Sequence, residues 1–324
     1  MIFTELGRTG LKISQIGIGS WQIGSKYWGW GREYSEQETI DAIRRAIELG
    51  INFIDTAEMY GDGESERIIG KAIKNMRDNV VIATKVWPTH LTYDGVLKAC
   101  ERSIQRLGVD IIDLYQIHWP NPLIPLSQTM RAMEKLVKEG KIRYIGVSNF
   151  SLKKLIQAQE ALRNNEIVSN QVKYNMIERD AEKELLPFAE KNKITIIAYS
   201  PLAQGLLTGK YGPENRPQDN IRKINILFDK ENLKRLQPLI SILREIASRR
   251  GKTPAQVALN WLIRKKEVVA IPGVKRQSQA EENAGAADFS LSEDELRMIE
   301  SVLNNIKIEN IISALKIPLR LLIG

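Results

Sequence analysis

The chain has 324 residues, of which 43% are hydrophobic and 27% charged, so it is long and apolar enough to form a large core. Its single cysteine, Cys100, excludes an internal disulfide and a cysteine-rich metal site. The net charge of +8 comes from Lys and Arg residues that alternate with acidic residues along amphipathic segments. This pattern favours solvated helix surfaces over a nucleic-acid interface, so we expect a globular protein without a nucleic-acid partner.

The sequence carries no export or membrane signal. The N-terminus lacks a basic stretch followed by a long apolar one, and no window approaches the ~20 uninterrupted apolar residues that span a bilayer. We therefore expect a cytoplasmic protein without a membrane partner.

The first predicted element is a β-hairpin over residues 3–14, FTELGRTGLKIS, with a glycine-containing turn. Eight short β-rich runs follow, in the order QIGIGS, FID, VVIATK, DLYQIH, YIGVSN, SNQV, TIIAYS and VVAIPG. Helical segments separate them, over 35–49, 64–73, 93–107, 126–138, 151–161 and 181–191, and a longer one begins at 229. Ser35 and Ser292 each start an S-x-x-E capping box, which predicts a helix beginning at that residue.

This alternation predicts repeated βα units around a parallel sheet. Eight units in a chain of this length favour a (β/α)8 barrel over an open doubly wound sheet, with the hairpin as a plug at one end and extra helices near the C-terminus. We expect a single domain over residues 1–324. For the apolar tail, 305–324, packing against the barrel, a subunit contact and a surface-binding helix are the alternatives.

The interval between the last two strands contains a polar, proline-bearing loop, KYGPENRPQDNIRKIN. Long loops in compact domains are often functional lids, so we expect this loop to fold over a bound ligand.

Polar residues close several of the apolar runs. Asp55, Lys85 and His118 end the second, third and fourth strands, and Tyr60 follows Asp55 by five residues. Because the carboxyl ends of barrel strands share one mouth, we expect these four side chains to converge. Taken singly each has a structural explanation, as a turn cap, a paired lysine, a core histidine or a rim aromatic.

Together the four residues suit the protonation of a carbonyl-derived oxygen. A phenol with a pKa near ~10 is a poor acid at neutral pH unless a nearby cation such as Lys85 stabilises its phenolate. A buried lysine keeps its charge when a carboxylate such as Asp55 pairs with it. A neutral His118 can donate a hydrogen bond to a carbonyl oxygen and orient it.

The motifs that carry these residues resemble the aldo-keto reductase superfamily in order and spacing, over roughly Thr4 to Leu303 and including the branch related to potassium-channel β-subunits. They are GRTGLKISQIGIGSW, GINFIDTAEMYGDGESERIIGKAI, VIATKV, SIQRLGVDIIDLYQIHWP, IRYIGVSNF, NQVKYNMIER, IAYSPLAQGLLTGKY, TPAQVALNWL and IPGVKRQSQAEENAGA. The resemblance implies a (β/α)8 barrel that uses NAD(P)H, with Asp55, Tyr60, Lys85 and His118 as its catalytic tetrad and Tyr60 as the general acid.

By the same resemblance the cofactor lies extended across the barrel mouth. Ser148, Asn149 and Gln171 would bind the nicotinamide carboxamide, and Tyr199 would stack on its ring. The remaining expected contacts are Gly19, Ser20, Trp21, Asp55, Ser200, Pro201, Leu202, Gln204, Gly205, Lys210, Ile271, Gly273, Lys275, Arg276, Gln279, Glu282 and Asn283. A Rossmann site is not expected, since Gln22 replaces the third glycine of G-x-G-x-x-G, and we interpret the glycines before it as strand packing.

The cofactor preference depends on two departures from the family pattern. Gly273 and Gln279 stand where many members carry basic residues. Lys275 and Arg276 can compensate, because a phosphate needs charge-assisted donors more than one fixed position. We expect NADPH to be preferred, with NADH as the less favoured alternative.

Aromatic residues near the mouth are the candidate walls of a pocket for an aldehyde or ketone. They are Trp21, Trp28, Trp30, Tyr60, Trp87, His118 and Trp119. Packing of the barrel rim is the alternative for these residues, and Trp28 and Trp30 fit both descriptions equally.

Two other functions are compatible with parts of the pattern. A cofactor-sensing binding module resembling potassium-channel β-subunits would keep the tetrad, although the lack of a long N-terminal extension favours the enzyme. A metal-dependent hydrolase would need several His and carboxylate ligands, whereas the chain has two histidines and His90 is expected in a loop away from any acid pair. We expect no metal site.

Overall fold

The structure is a computed structural model that describes residues 1–308 of the chain. It contains the eight predicted parallel strands, hydrogen-bonded in chain order. They are β3 (Ile18–Gly19), β4 (Phe53–Asp55), β5 (Val81–Val86), β6 (Ile112–Ile117), β7 (Ile142–Ser148), β8 (Ile167–Lys173), β9 (Thr195–Tyr199) and β10 (Val268–Ala270). The predicted (β/α)8 barrel is confirmed.

Backbone contacts between the first and last strands close the barrel. Gly17 N donates to Ala270 O at 2.8 Å, and Gly19 N donates to Pro272 O at 2.9 Å. A Cβ at Gly19 would lie 2.5 Å from the carbonyl oxygen of Ile271, so glycine permits this close approach. These two glycines serve strand packing, as the sequence predicted.

The N-terminal hairpin, β1 (Phe3–Glu5) and β2 (Lys12–Ser14), caps the opposite end of the barrel from the strand C-termini. Thr4 Oγ1 donates to Lys266 O, just before β10, and Gly7 N donates to Thr195 Oγ1 at the start of β9. Leu6 and Ile13 are fully buried in an apolar cluster with residues of β4, β5, β6, β8, β9 and β10. The predicted plug is therefore present and apolar.

Helices alternate with the strands, and further helices precede and follow β10. Their bounds are α1 (Glu36–Glu48), α2 (Glu64–Ile73), α3 (Tyr93–Leu107), α4 (Leu126–Lys138), α5 (Leu152–Ala161), α6 (Leu185–Asn192), α7 (Asn220–Lys223), α8 (Lys230–Arg250), α9 (Pro254–Ile263), α10 (Gln277–Ala284) and α11 (Glu293–Asn305). Both predicted capping boxes are formed, at Ser35 and Ser292. Thr253 and Gln256 form a third that sequence reading missed.

The sixth helix differs from its prediction over 181–191. A 3-10 turn, Asp180–Glu182, precedes a shorter α6 that begins at Leu185. Pro187 lies in the first turn of α6 and has no N–H to donate to a preceding turn, and its ring disfavours helical backbone before it. The proline therefore fixes where this helix can begin.

The apolar tail falls outside the described residues from 309 onwards. Within residues 1–308, no helix combines the length and the apolar character needed to cross a bilayer.

Candidate active site

A cavity of about 430 Å³ opens at the mouth where the strands end. This is the size of a small-molecule site. The predicted residues that line it are Gly19, Ser20, Trp21, Trp28, Asp55, Tyr60, Trp87, His118, Trp119, Ser148, Asn149, Gln171, Tyr199, Ser200, Pro201, Leu202, Gln204, Gly205, Ile271, Gly273, Lys275, Gln279, Glu282 and Asn283.

Besides Lys85, three of the predicted residues lie outside the cavity wall. The Trp30 ring packs edge-on against Tyr34, with centroids 5.5 Å apart. Lys210 is exposed and its ammonium lies 5.6 Å from the Tyr211 ring centroid. Arg276 donates to Glu33 O at 2.7 Å. Lys210 and Arg276 were expected from the family resemblance and Trp30 from its position near the mouth, and neither basis determines which way a side chain points.

Lys85 lies beneath the cavity floor, fully buried, with three hydrogen bonds from its ammonium. It donates to Asp55 Oδ1 at 2.6 Å, to Thr56 O at 2.8 Å and to Tyr60 Oη at 3.2 Å. An ammonium has three N–H groups, so every donor of Lys85 is satisfied. Its position brings the carboxylate and the phenol into one chain of contacts.

Burial and charge act against each other in this chain. Burial alone would lower the pKa of Lys85, but the Asp55 carboxylate and the Tyr60 phenol raise it above its ordinary value, so the ammonium is charged. For Tyr60 burial is the larger effect and raises the pKa, while the Lys85 charge offsets part of that rise. The sequence indicated the cation beside Tyr60 but not how deeply the phenol is buried. Tyr60 therefore carries its proton at neutral pH.

His118 lies beside Tyr60, with ring centroids 5.6 Å apart, and beside Trp87, at 5.2 Å. Burial, with a smaller effect of the Lys85 charge, holds the pKa of His118 well below 6.5. The imidazole is neutral and carries one N–H donor. It can donate a hydrogen bond at the cavity floor without adding a positive charge there.

Two glutamines complete the surroundings of Asp55. Gln116 Nε2 and Gln171 Nε2 both donate to Asp55 Oδ2, at 3.0 and 2.8 Å. Sequence analysis missed Gln116. A signal for it existed, because a residue two positions before His118 on the same strand faces the same side, and a polar residue there departs from the apolar run.

Asn149 joins three strand ends at the mouth. It adopts a left-handed conformation, φ 61°, and its Nδ2 donates to His118 O at 3.1 Å. Its Oδ1 accepts from Tyr199 Oη at 3.0 Å. Asparagine tolerates this backbone conformation better than most residues, so its presence here fits both the turn and the contacts.

Two cationic side chains from distant segments, Lys275 and Arg222, contact Trp28 in the cavity wall. Lys275 Nζ donates to Trp28 O at 2.6 Å, and the Arg222 guanidinium lies 4.8 Å from the Trp28 ring centroid. Burial lowers the pKa of Lys275 to about 8. Arg222 lies in α7, within the segment predicted as a lid, and its side chain lines the cavity, although the sequence did not single this residue out. Other lining residues that sequence analysis did not name are Gln22, Met59, Gly61, Lys173, Thr208 and Pro272.

His90 contacts a carboxylate and lies near an arginine. Its Nδ1 lies 2.9 Å from Glu58 Oε1, and Arg102 binds the other carboxylate oxygen at 3.2 Å. His90 was expected in a loop away from any acid pair, and the acid it contacts is a single carboxylate, Glu58, because the loop after β5 folds back onto the loop after β4. Even so, the residues from 1 to 308 contain no group of three or more His, Cys, Asp or Glu side chains placed to hold a metal ion.

Comparison with known proteins identifies the family. Residues 15–304 match the family model described as "Aldo/keto reductase family". An uncharacterized oxidoreductase of Mycobacterium tuberculosis is 49% identical over 282 residues, which cover 87% of this chain and 86% of that protein. The NADH-specific methylglyoxal reductase of Escherichia coli is 32% identical over 320 residues, covering 92% of this chain and 97% of the relative.

A solved structure of a related protein has the same fold. The aldo/keto reductase of Klebsiella pneumoniae, crystallised in complex with NADP and acetate, superposes with a TM-score of 0.75 at 34% identity. The match covers 93% of this chain and 95% of the Klebsiella chain. The family model, the relatives and the shared barrel lead to one conclusion: the chain belongs to the aldo/keto reductase family.

Proposed function

We propose that this protein reduces an aldehyde or ketone to an alcohol with NADPH, and that Tyr60 is the general acid. The observation that carries the proposal is the Tyr60 hydroxyl at the cavity floor, 3.2 Å from the ammonium of Lys85, which Asp55 holds in place at 2.6 Å. A phenol in this setting holds its proton until a stronger base appears beside it. The oxygen of a carbonyl that is accepting a hydride is such a base.

Each residue of the tetrad has a separate role in this scheme. His118, which is neutral, donates a hydrogen bond that orients the carbonyl oxygen next to Tyr60 Oη. Tyr60 then transfers its proton to that oxygen as negative charge develops there. Lys85 stabilises the phenolate that remains, and Asp55 keeps Lys85 charged. When bound, NADPH supplies the hydride that adds to the carbonyl carbon.

The residues present fit a phosphorylated dinucleotide. Lys275 and Arg222 bring two positive side chains into the cavity wall at Trp28. Arg222 pairs with Asp219 at 2.8 Å, whereas the Lys275 ammonium donates to a backbone carbonyl, Trp28 O, at 2.6 Å. Such donors suit a phosphate. The Klebsiella relative is described as an NADP complex and the Escherichia coli relative as NADH-specific, so cofactor choice varies among the relatives. We assign NADPH here on the strength of Lys275, with Ser148, Asn149, Gln171 and Tyr199 as the nicotinamide contacts.

The substrate wall is aromatic. Trp21, Trp87 and Trp119 line the cavity together with Met59, close to Tyr60 and His118. Trp119 is 40% exposed, so an apolar substrate would cover it. We propose that the substrate is an aldehyde or ketone that carries an apolar or aromatic group. We also propose that the protein is a single domain.

A cofactor-sensing module that resembles potassium-channel β-subunits remains the second candidate, because the same tetrad would serve it. The two proposals are separated by measuring NADPH oxidation by the purified protein with a panel of aliphatic and aromatic aldehydes. Turnover supports the reductase, whereas tight NADPH binding without turnover across a broad panel would favour the sensing module.

A further inference from the structure

We propose that Gln116 is a positioning residue for the reduction. It holds the Asp55 carboxylate beside Lys85, and it fixes the side-chain amide of Gln171 so that the amide oxygen is free to face the cavity. The inference rests on the reductase function proposed above. It concerns a residue that lies below the cavity wall, does not touch the reacting atoms and acts through Asp55 and Gln171.

The orientation of both amides follows from Asp55. An ionised carboxylate only accepts hydrogen bonds, so the nitrogen of each glutamine must face it. Gln116 Oε1 then accepts a hydrogen bond from Gln171 Nε2 at 3.4 Å. Gln171 Nε2 therefore donates two hydrogen bonds, one to Asp55 and one to Gln116. Among residues 1–308 no hydrogen bond reaches the side-chain oxygen, Oε1, of Gln171, and this residue lines the cavity. Gln171 therefore offers the cavity a hydrogen-bond acceptor, which suits the N–H of a carboxamide such as that of nicotinamide.

The backbone around Gln116 leaves room for this arrangement. Gln116 on β6 pairs with Gly146 on β7, which in turn pairs with Ser169 on β8. A Cβ at position 146 would lie 2.9 Å from Gln116 Cγ and 2.5 Å from Ser169 Oγ. Real Cβ atoms do not approach this closely, so any other residue at 146 would displace the Gln116 side chain. The glycine at this strand position leaves the space that Gln116 and Ser169 occupy.

The electrostatic consequence reaches Tyr60 through Lys85. The two amide N–H groups offset part of the negative charge of Asp55 on the side away from Lys85. Without Gln116, the potential at Tyr60 becomes more negative, or Lys85 shares its proton with Asp55 and loses charge. Both outcomes make the phenol harder to ionise, and therefore a weaker acid.

The test compares the native chain with Gln116→Leu, which keeps the side-chain volume and removes the donors. We expect kcat to fall roughly tenfold to hundredfold, as for loss of a hydrogen bond to a charged group. The pH at which the rate declines on the alkaline side should rise by about one unit. NADPH affinity and the thermal unfolding midpoint show whether the variant is folded.

The matched control is Ser169→Ala, which removes a buried hydroxyl with no described hydrogen-bond partner from the same layer of the barrel. It should leave kcat and the pH profile unchanged.

A second variant distinguishes positioning from packing. Gln116→Glu can donate to Asp55 only while protonated, and two carboxyl groups at this distance cannot both ionise without cost. Its rate should approach the native rate at low pH and fall earlier than the native rate as pH rises. A variant that is merely mispacked would be slow by the same factor at every pH.

Two failures can be told apart. If the native chain oxidises NADPH with aldehydes and Gln116→Leu has the native kcat and pH profile, the role of Gln116 is wrong and the reductase function stands. If the native chain binds NADPH and turns over nothing, the reductase function is contradicted, and the role of Gln116 in it falls too.

Discussion

The two ends of the barrel are built from the same eight strands, yet one is sealed and the other is reactive. At the N-terminal end of the strands, Leu6 and Ile13 of the hairpin fill the interior with apolar side chains that are completely buried. At the C-terminal end, the interior contains Asp55, Lys85 and two glutamines, all buried and all hydrogen-bonded. The closed end stabilises the fold by removing apolar surface from water, whereas the open end accepts the cost of buried charge.

This difference shows how one architecture separates stability from chemistry. Alternating side chains along each strand point into the barrel, and only those at the last inward positions face the mouth. Substitutions at the closed end should therefore lower stability and leave turnover unchanged, whereas substitutions at the open end should chiefly lower turnover.

The largest effect is expected for Lys85→Met at the open end. Turnover should fall by roughly 10²- to 10⁴-fold, because the Tyr60 phenolate loses the cation that stabilises it. The free energy of unfolding should fall by about 3 kcal/mol, since Asp55 is left as a buried charge without its partner. Steady-state NADPH oxidation and urea denaturation measure the two quantities.

The double variant Lys85→Met with Asp55→Asn is the control for this prediction. Removing both charges should restore most of the lost stability and none of the activity. A double variant as unstable as the single one would show that packing, and not the unpaired carboxylate, caused the loss.

At the closed end, Leu6→Ala should lower the free energy of unfolding by about 2 to 5 kcal/mol, because it leaves a cavity beneath the barrel. The kcat of the folded fraction should stay at the native value, since the hairpin lies at the far end from Tyr60. Phe3→Ala in the same hairpin is the control, since Phe3 is 49% exposed and its loss should change stability by no more than about 0.5 kcal/mol. A Leu6→Ala enzyme that is stable but slow would contradict the division between the two ends.

A smaller effect is expected for Lys275→Ala at the rim of the open end. NADPH affinity should weaken by roughly tenfold to hundredfold, which corresponds to one lost charge-assisted hydrogen bond, and NADH affinity should change little. Arg276→Ala should change either affinity by less than about twofold, because this side chain points to Glu33 and away from the cavity.

The pH dependence of cofactor binding sharpens this assignment. Burial lowers the pKa of Lys275 to about 8, so the free enzyme loses this charge as pH rises through 8. NADPH affinity should therefore decrease between pH 7 and pH 9, and the Lys275→Ala variant should lack that decrease. If Lys275→Ala combined with Arg276→Ala leaves the ratio of NADPH to NADH affinity unchanged, the phosphate assignment is wrong.

The fold could be predicted in nearly full detail, because strand and helix periods alternate clearly and polar residues mark the strand ends. Asp55, Lys85 and His118 end consecutive strands, and the register of a parallel barrel then brings them together. Pro187 shortened one helix in a way that the periodicity of neighbouring residues does not reveal. The sequence pattern identifies elements more reliably than it identifies where they begin.

The candidate site was harder to predict where contacts cross between distant segments. Arg222 reaches Trp28 from a segment whose path depends on tertiary packing, and His90 meets Glu58 for the same reason. The net rise in the pKa of Tyr60 depends on how deeply the phenol is buried, which no local pattern records. Gln116 lies between these cases, since strand alternation places it on the inner face but does not say that it meets Asp55.

The role of Tyr60 is tested by measuring NADPH oxidation by Tyr60→Phe beside the native chain, with the same aldehyde and with NADPH affinity determined for both. We predict that turnover falls by roughly 10²- to 10⁴-fold while NADPH affinity stays at its native value, because the variant lacks only the proton that is transferred. A Tyr60→Phe protein that reduces the aldehyde at the native rate would contradict the mechanism.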